Sequence, residues 1–219
     1  MENLGFDWTS VRRLGILGGT FDPIHHGHLA VARQVRRAYG LDRVVFIPSG
    51  YPPHKPNGSV STGQHRYMMA LLATCDEPAF SVSQVEMMRT EISYTVHTLR
   101  LLQSWTGLKC RLYFIAGGDM ALDLPNWREP DAILDQCQFV AVQRPGYALD
   151  NLRATLGEKR MAKVDTLTLE TPDISATEVR RRVSCGEDIS DYVPETVRLY
   201  ILAAGLYLPA CLGMHACGG

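Results

Sequence analysis

A chain of 219 residues, 46% hydrophobic and 21% charged, removes roughly 70% of its unfolded surface from water on folding and needs no disulfide or metal staple. Its composition excludes collagen-like, disordered and disulfide-scaffold classes. With 22 basic against 23 acidic side chains the formal charge is -1, so no global field draws it to a nucleic-acid backbone and no nucleic-acid partner is expected.

The start, Met1-Glu2-Asn3-Leu4-Gly5-Phe6-Asp7, has no basic head before an apolar run and does not read as a signal peptide. Leu14-Gly15-Ile16-Leu17 reads as a buried strand ending in Gly18-Gly19, and Gly27 to Tyr39 as a helix with Leu29, Ala32, Val35 and Ala38 on one face and Gly40 as its cap. Arg33, Arg36 and Arg37 read as the solvated face of that helix. Arg43 to Pro48 is a β-branched strand, and Ser49 to Gly63 is a Pro- and Gly-rich loop long enough to be functional. Ser61 and Gln64 read as a capping box before a helix through Tyr67 to Leu72, with Met68 and Met69 in the core. Strands follow at Phe80 to Val85, Leu112 to Ala116, Gln138 to Val142 and Asp165 to Leu169, with a helix from Ser93 to Ser104 between the first two. Gly146 to Gly157 is a loop or a short helix.

Leu199 to Met214, interrupted by Gly205 and Pro209, is shorter than the roughly 20 residues of a membrane span; it reads as a buried terminal helix with a loose tail, and no membrane partner is expected. Six cysteines without a Cys-x-x-Cys pair suggest reduced thiols and a cytoplasmic chain. Apolar strands alternating with helices predict an α/β fold, a doubly wound parallel sheet. One domain over 1–208 is expected, with 209–219 as the tail. The loops after Leu17, Ile47, Ala116 and Val142 should then face one site.

The densest chemistry follows the first strand, in Gly18-Gly19-Thr20-Phe21-Asp22-Pro23-Ile24-His25-His26-Gly27-His28-Leu29. Neither the dinucleotide fingerprint nor a Walker loop is present. A glycine turn lets backbone approach a ligand, and His25 and His28 flank a helix N-terminus, whose free N–H groups and dipole favour phosphate. Imidazoles there can donate hydrogen bonds as charge moves to a leaving group. The bland alternative is a pair of surface histidines beside turn glycines. No metal site is expected, since Asp22 is the one carboxylate near these histidines. Farther on, Ser175 and Glu178 form a capping box, and the helix N-terminus with Thr177 and Arg180 could grip a polyphosphate; alone, an ordinary capped basic helix is an equal reading. Asp119 could cap a helix or accept from ribose hydroxyls, and Trp127 could be a half-buried aromatic or an exposed face for a ring.

The first string resembles the His-x-Gly-His motif of the nucleotidyltransferase superfamily, and Ile174-Ser175-Ala176-Thr177-Glu178-Val179-Arg180 resembles its Ile-Ser-x-Thr-x-x-Arg motif. Pro52-Pro53-His54-Lys55, Ser93-Tyr94-Thr95, Gly118-Asp119, Trp127 and Arg144-Pro145-Gly146 are similar to the bacterial nicotinate-mononucleotide adenylyltransferases. The similarity spans about residues 13 to 207, with Glu91-Ile92 where the family usually carries a glycine. Phosphopantetheine adenylyltransferases share only the two outer motifs.

The resemblance implies a Rossmann-like nucleotidyltransferase fold with a small C-terminal helical portion. It implies AMP transfer from ATP to nicotinate mononucleotide in NAD biosynthesis, with Mg²⁺ carried mainly by substrate phosphates. His25 and His28 would be catalytic. Gly18, Gly19, Thr20, Phe21, His25, His28, Asp119, Ser175, Thr177 and Arg180 would bind ATP, and Lys55, Thr95, Trp127 and Arg144 the mononucleotide. Two alternatives are an adenylyltransferase for another phosphorylated acceptor and a nucleotide sensor that does not turn over.

Overall fold

The computed structural model describes residues 6–50, 60–89, 92–143 and 149–208. In chain order it contains β1 (Arg13–Gly19), α1 (His26–Tyr39), β2 (Arg43–Pro48), α2 (Gly63–Thr74), β3 (Phe80–Val82), α3 (Thr95–Thr106) and β4 (Arg111–Gly117). There follow α4 (Gly118–Asp123), α5 (Pro130–Gln136), β5 (Gln138–Gln143), α6 (Leu149–Met161), β6 (Val164–Thr168), α7 (Ala176–Ser184) and α8 (Glu195–Ala203). The six strands form one sheet in the order β3-β2-β1-β4-β5-β6, every neighbouring pair parallel. Register pairs Leu17 with Phe46 on one side and Ile115 on the other.

Both faces are covered, which is why the central strands read as continuous apolar runs. On one face Leu17, Val44, Phe46, Ile115 and Val140 pack with Leu29, Ala32, Met69, Val179 and Ile201 from α1, α2, α7 and α8. On the other, Ile16, Val45, Phe114 and Phe139 pack with Val96, Leu99, Ile133 and Leu152 from α3, α5 and α6. Gly40 closes α1 in the left-handed region at φ 57°, its N–H donating to the Arg36 and Arg37 carbonyls. Strand order reverses between β1 and β4, and at such a switch point a crevice opens beyond the carboxyl ends of the strands.

Several expectations are corrected. Thr62, not Ser61, caps α2, its side chain accepting from the His65 N–H. Met69 is fully buried but Met68 is 40% exposed, because one residue along a helix turns about 100° away from the core. The terminal helix is buried on one face only: Val197 and Ile201 face the core while Leu199 and Leu202 are half exposed. Of the Gly146 to Gly157 region, read as a loop or a short helix, the described residues 149–157 lie in α6, which is interrupted where Gly157 takes φ 72°. The β3 strand stops at Val82, short of Val85. No helix among the described residues is long and apolar enough to cross a membrane.

Candidate active site

The loop from Thr20 to His25 leaves β1 at the switch point. Phe21 sits in the left-handed region at φ 51°, a costly place for a residue with a Cβ, and is held there by burial. Its ring meets the His28 ring edge-on, centroids 5.1 Å apart. Asp22 is buried, and its carboxylate accepts from the Tyr207 hydroxyl at 2.7 Å and the Ser61 N–H at 3.2 Å. His25 then caps α1, and His28 lies in the first turn.

The His25 N–H donates to Nδ1 of His28 at 3.2 Å, and the two imidazoles stack with centroids 3.7 Å apart. Burial pushes the His28 pKa down to about 4, so the ring is neutral at pH 7. Because Nδ1 accepts, the remaining proton resides on Nε2, leaving that nitrogen a donor. A Cβ on Gly27 would come within 3.0 Å of His25 Nδ1, so glycine is what allows the imidazole to lie against the helix start. Among the described residues a Cβ on Gly18 would meet only Phe114, at 3.9 Å.

The second motif arrives at the same loop. Ser175 caps α7 by accepting from the Glu178 N–H at 3.1 Å, which leaves its own O–H free to donate. The reciprocal half of the expected capping box is replaced: the Glu178 carboxylate accepts from Arg181 at 2.8 Å and Arg182 at 2.9 Å, and Arg181 foremost holds it down at about 2. Arg181 is further paired with Glu187, and Arg182 lies over the Tyr192 ring. Arg180 alone of the three bonds the β1 loop, donating from Nη1 to the Asp22 carbonyl at 2.7 Å and from Nη2 to Thr177 Oγ1 at 3.3 Å. One hydrogen bond thus joins motifs 158 residues apart.

Sequence reasoning missed Arg66, which is 2% exposed and donates to the carbonyls of Ser61, Thr20 and Gly50. It ties α2 to the ends of β1 and β2. The signal was its place at helical spacing with the buried residues Met69, Ala70 and Thr74.

The inner features fall beyond the ends of β4 and on α3. Asp119 is exposed in the first turn of α4, directly after β4. Trp127 is half-buried: its ring makes edge contacts with Phe114 and Phe139 at 5.8 and 6.2 Å, and its indole N–H donates to Asp123. Thr95 is the first residue of α3, where backbone N–H groups lack helical partners. The segment after Trp127 docks on this helix, with the Arg128 guanidinium over the Tyr94 ring at 4.7 Å and Glu129 paired with Arg100 at 2.6 Å. Beside it Thr98 donates to the Glu86 carboxyl at 2.8 Å, and burial pushes the Glu86 pKa up. Lys55 and Arg144 lie outside the described residues. Among the described residues no group of three or more His, Cys, Asp or Glu side chains could hold a metal ion.

The cytidylyltransferase-like family model matches residues 16–182. A protein of Moorella thermoacetica named "Probable nicotinate-nucleotide adenylyltransferase" is 40% identical over 209 residues, covering 94% of this chain and 96% of its own length. One of the same name from Roseiflexus sp. is 48% identical over 197 residues, covering 89% and 97%. The fold is shared with the solved Plasmodium falciparum nicotinic acid mononucleotide adenylyltransferase complexed with NaAD, at a TM-score of 0.71 and 20% identity, covering 90% of this chain and 97% of that one. With both motifs meeting at the switch point of this sheet, the chain belongs to the cytidylyltransferase-like nucleotidyltransferases, in the nicotinate-nucleotide adenylyltransferase family.

Proposed function

We propose that this enzyme transfers AMP from ATP to nicotinate mononucleotide, and that His25, His28, Ser175, Thr177 and Arg180 hold the phosphates during the transfer. The observation that carries this reading is the 2.7 Å bond from Arg180 to the Asp22 carbonyl, which sets a guanidinium beside the histidine loop. An oxygen of the mononucleotide phosphate attacks the α-phosphorus of ATP, the bond to the β-phosphate oxygen breaks, and pyrophosphate leaves. The nucleophile is already ionised at neutral pH, so the protein need supply no base. Its work is alignment of the two phosphates and donation to the oxygens on which charge grows. A neutral His28 with its proton on Nε2 suits the second task, and Arg180 has N–H donors beyond those given to Asp22 and Thr177.

Gly18, Gly19, Thr20, Phe21 and Asp119 take the adenosine side, with room above Gly18 for a ligand to approach the backbone. Thr95, Trp127, Lys55 and Arg144 take the pyridine nucleotide. Mg²⁺ travels with the ATP phosphates and offsets their charge. Both Asp22 oxygens are engaged by Tyr207 and Ser61, so the chain's own residues offer donors to the phosphates rather than a cage to the cation. A cytoplasmic location, a single domain over 1–208 and action without nucleic acid or membrane belong to the same reading.

Acid preference follows from the helix start at Thr95, whose N–H groups satisfy a carboxylate and would face the N–H donors of a carboxamide. The test is pyrophosphate release from ATP with nicotinate mononucleotide, nicotinamide mononucleotide and phosphopantetheine as acceptors. The expected result is a kcat/KM for the acid at least about 100-fold above the amide. Trp127→Ala should impair both while leaving their ratio intact, because both rings present the same π-face. Equal use of acid and amide contradicts the acceptor assignment, and no release with any acceptor favours a sensor.

A further inference from the structure

We propose that Tyr207, in the turn after α8, is a positioning residue of the phosphate site: it holds the Asp22 carboxylate and so fixes the peptide whose carbonyl orients Arg180. The proposal rests on the reading of Arg180 as an ATP contact.

The turn from Gly205 to Tyr207 places two residues in the left-handed region, Gly205 at φ 61° and Tyr207 at φ 64°. Glycine adopts that conformation freely, but tyrosine does so only when its side chain is held. What holds it is the bond from its hydroxyl to Asp22 Oδ1 at 2.7 Å, beside Met69 Sδ at 3.8 Å. Burial foremost, with the nearby Asp22 charge, pushes the phenol pKa up, so it remains a donor at every working pH.

Asp22 is an expensive residue to place where it lies. At 2% exposure its carboxylate has lost its water and is satisfied by two neutral donors, Tyr207 from the end of the described chain and the Ser61 N–H from the approach to α2. The carboxylate offsets the charge of the buried Arg66 guanidinium nearby and joins segments 185 residues apart. Its neighbour Phe21 is in a strained conformation, and the preceding Thr20 carbonyl is held by Arg66 at 2.9 Å. Between these anchors the Asp22 carbonyl accepts from Arg180 Nη1. Without the Tyr207 hydroxyl, Asp22 keeps one backbone donor, its peptide gains freedom, and Arg180 loses a fixed acceptor.

The experiment is a double-mutant cycle of Tyr207→Phe and Arg180→Ala, read as kcat/KM for ATP at saturating nicotinate mononucleotide, with the mononucleotide KM and thermal unfolding measured in parallel. Tyr207→Phe is expected to lower kcat/KM for ATP about tenfold with the mononucleotide KM unchanged, and to cost less than about twofold once Arg180 is absent. A folded Tyr207→Phe with wild-type ATP kinetics overturns the proposal, as does a full loss repeated in the Arg180→Ala background, which is what a merely structural tyrosine would give. If Tyr207→Phe does not fold, Asp22→Ala, which removes the acceptor of the Tyr207 hydroxyl and keeps the backbone carbonyl, replaces it in the cycle with the same expectations. Wild-type ATP kinetics in Arg180→Ala would overturn the phosphate-site reading itself, whereas additivity beside an impaired Arg180→Ala overturns the positioning role alone.

Discussion

At the scale of single residues, His28 carries two separable consequences. Its native pKa of about 4 lies below the ordinary 6.5, so between those values the unfolded chain binds a proton that the folded chain refuses. Stability is therefore insensitive to this group above pH 6.5, falls as the pH drops, and has lost at most about 3 kcal/mol below pH 4. Thermal unfolding against pH should show a steeper acid decline in wild type than in His28→Ala, and parallel curves would contradict the assignment. The same variant should lose about 100-fold in kcat while remaining folded at pH 7, the loss expected for one preorganised donor. Gly18→Ala is the complementary change, since among the described residues its new methyl group meets protein only at 3.9 Å. It should leave the melting temperature unchanged and weaken ATP binding by at least about tenfold in a direct titration, the methyl occupying space a ligand needs. Unaltered ATP affinity would remove Gly18 from the binding surface.

At the scale of elements, most of the frame was legible because burial on both faces imposes a simple pattern. Arg43 to Pro48 is a β-branched run that only a covered central strand requires, and the helix starting near Gly27 announced its glycine end and its apolar face at Leu29, Ala32 and Val35, though Ala38 at its last turn is exposed. What was not legible depended on partners distant in the chain. Ser61 and Thr62 are both competent caps, but the Ser61 side chain bonds Tyr207 and its N–H bonds Asp22, while Thr62 caps the helix. Glu178 stood at capping-box spacing, yet two arginines on the next turn compete for its carboxylate more strongly than a backbone N–H does. Arg66 lay on a buried face by spacing alone, but its three carbonyl acceptors come from separate segments. Replacing it by Met should leave those carbonyls unpaired and cost about 3 kcal/mol, or roughly 6 to 12 °C in melting temperature for a chain of this size. Calorimetry within about 1 °C of wild type would show that the arginine ties nothing together.

At the scale of the whole molecule, the parallel sheet puts every strand's carboxyl end on one side, and the reversal of order between β1 and β4 opens the crevice there. The two motifs that were recognisable in sequence come from the beginning and the end of this architecture and meet through Arg180 and Asp22. The closure of the same loop by Tyr207 was invisible beforehand, since nothing in the spacing of one tyrosine after the last helix points to a carboxylate 185 residues earlier. On the proposed reading the arrangement holds two phosphates in line and supplies donors, with no protein nucleophile required. Single-turnover reaction of the enzyme with ATP labelled at the α-phosphorus, in the presence of nicotinate mononucleotide and Mg²⁺, tests that claim most directly. The label should pass straight into nicotinate adenine dinucleotide, with unlabelled pyrophosphate released at the same rate and none on the protein; label retained on the chain, or released as free AMP, would contradict it.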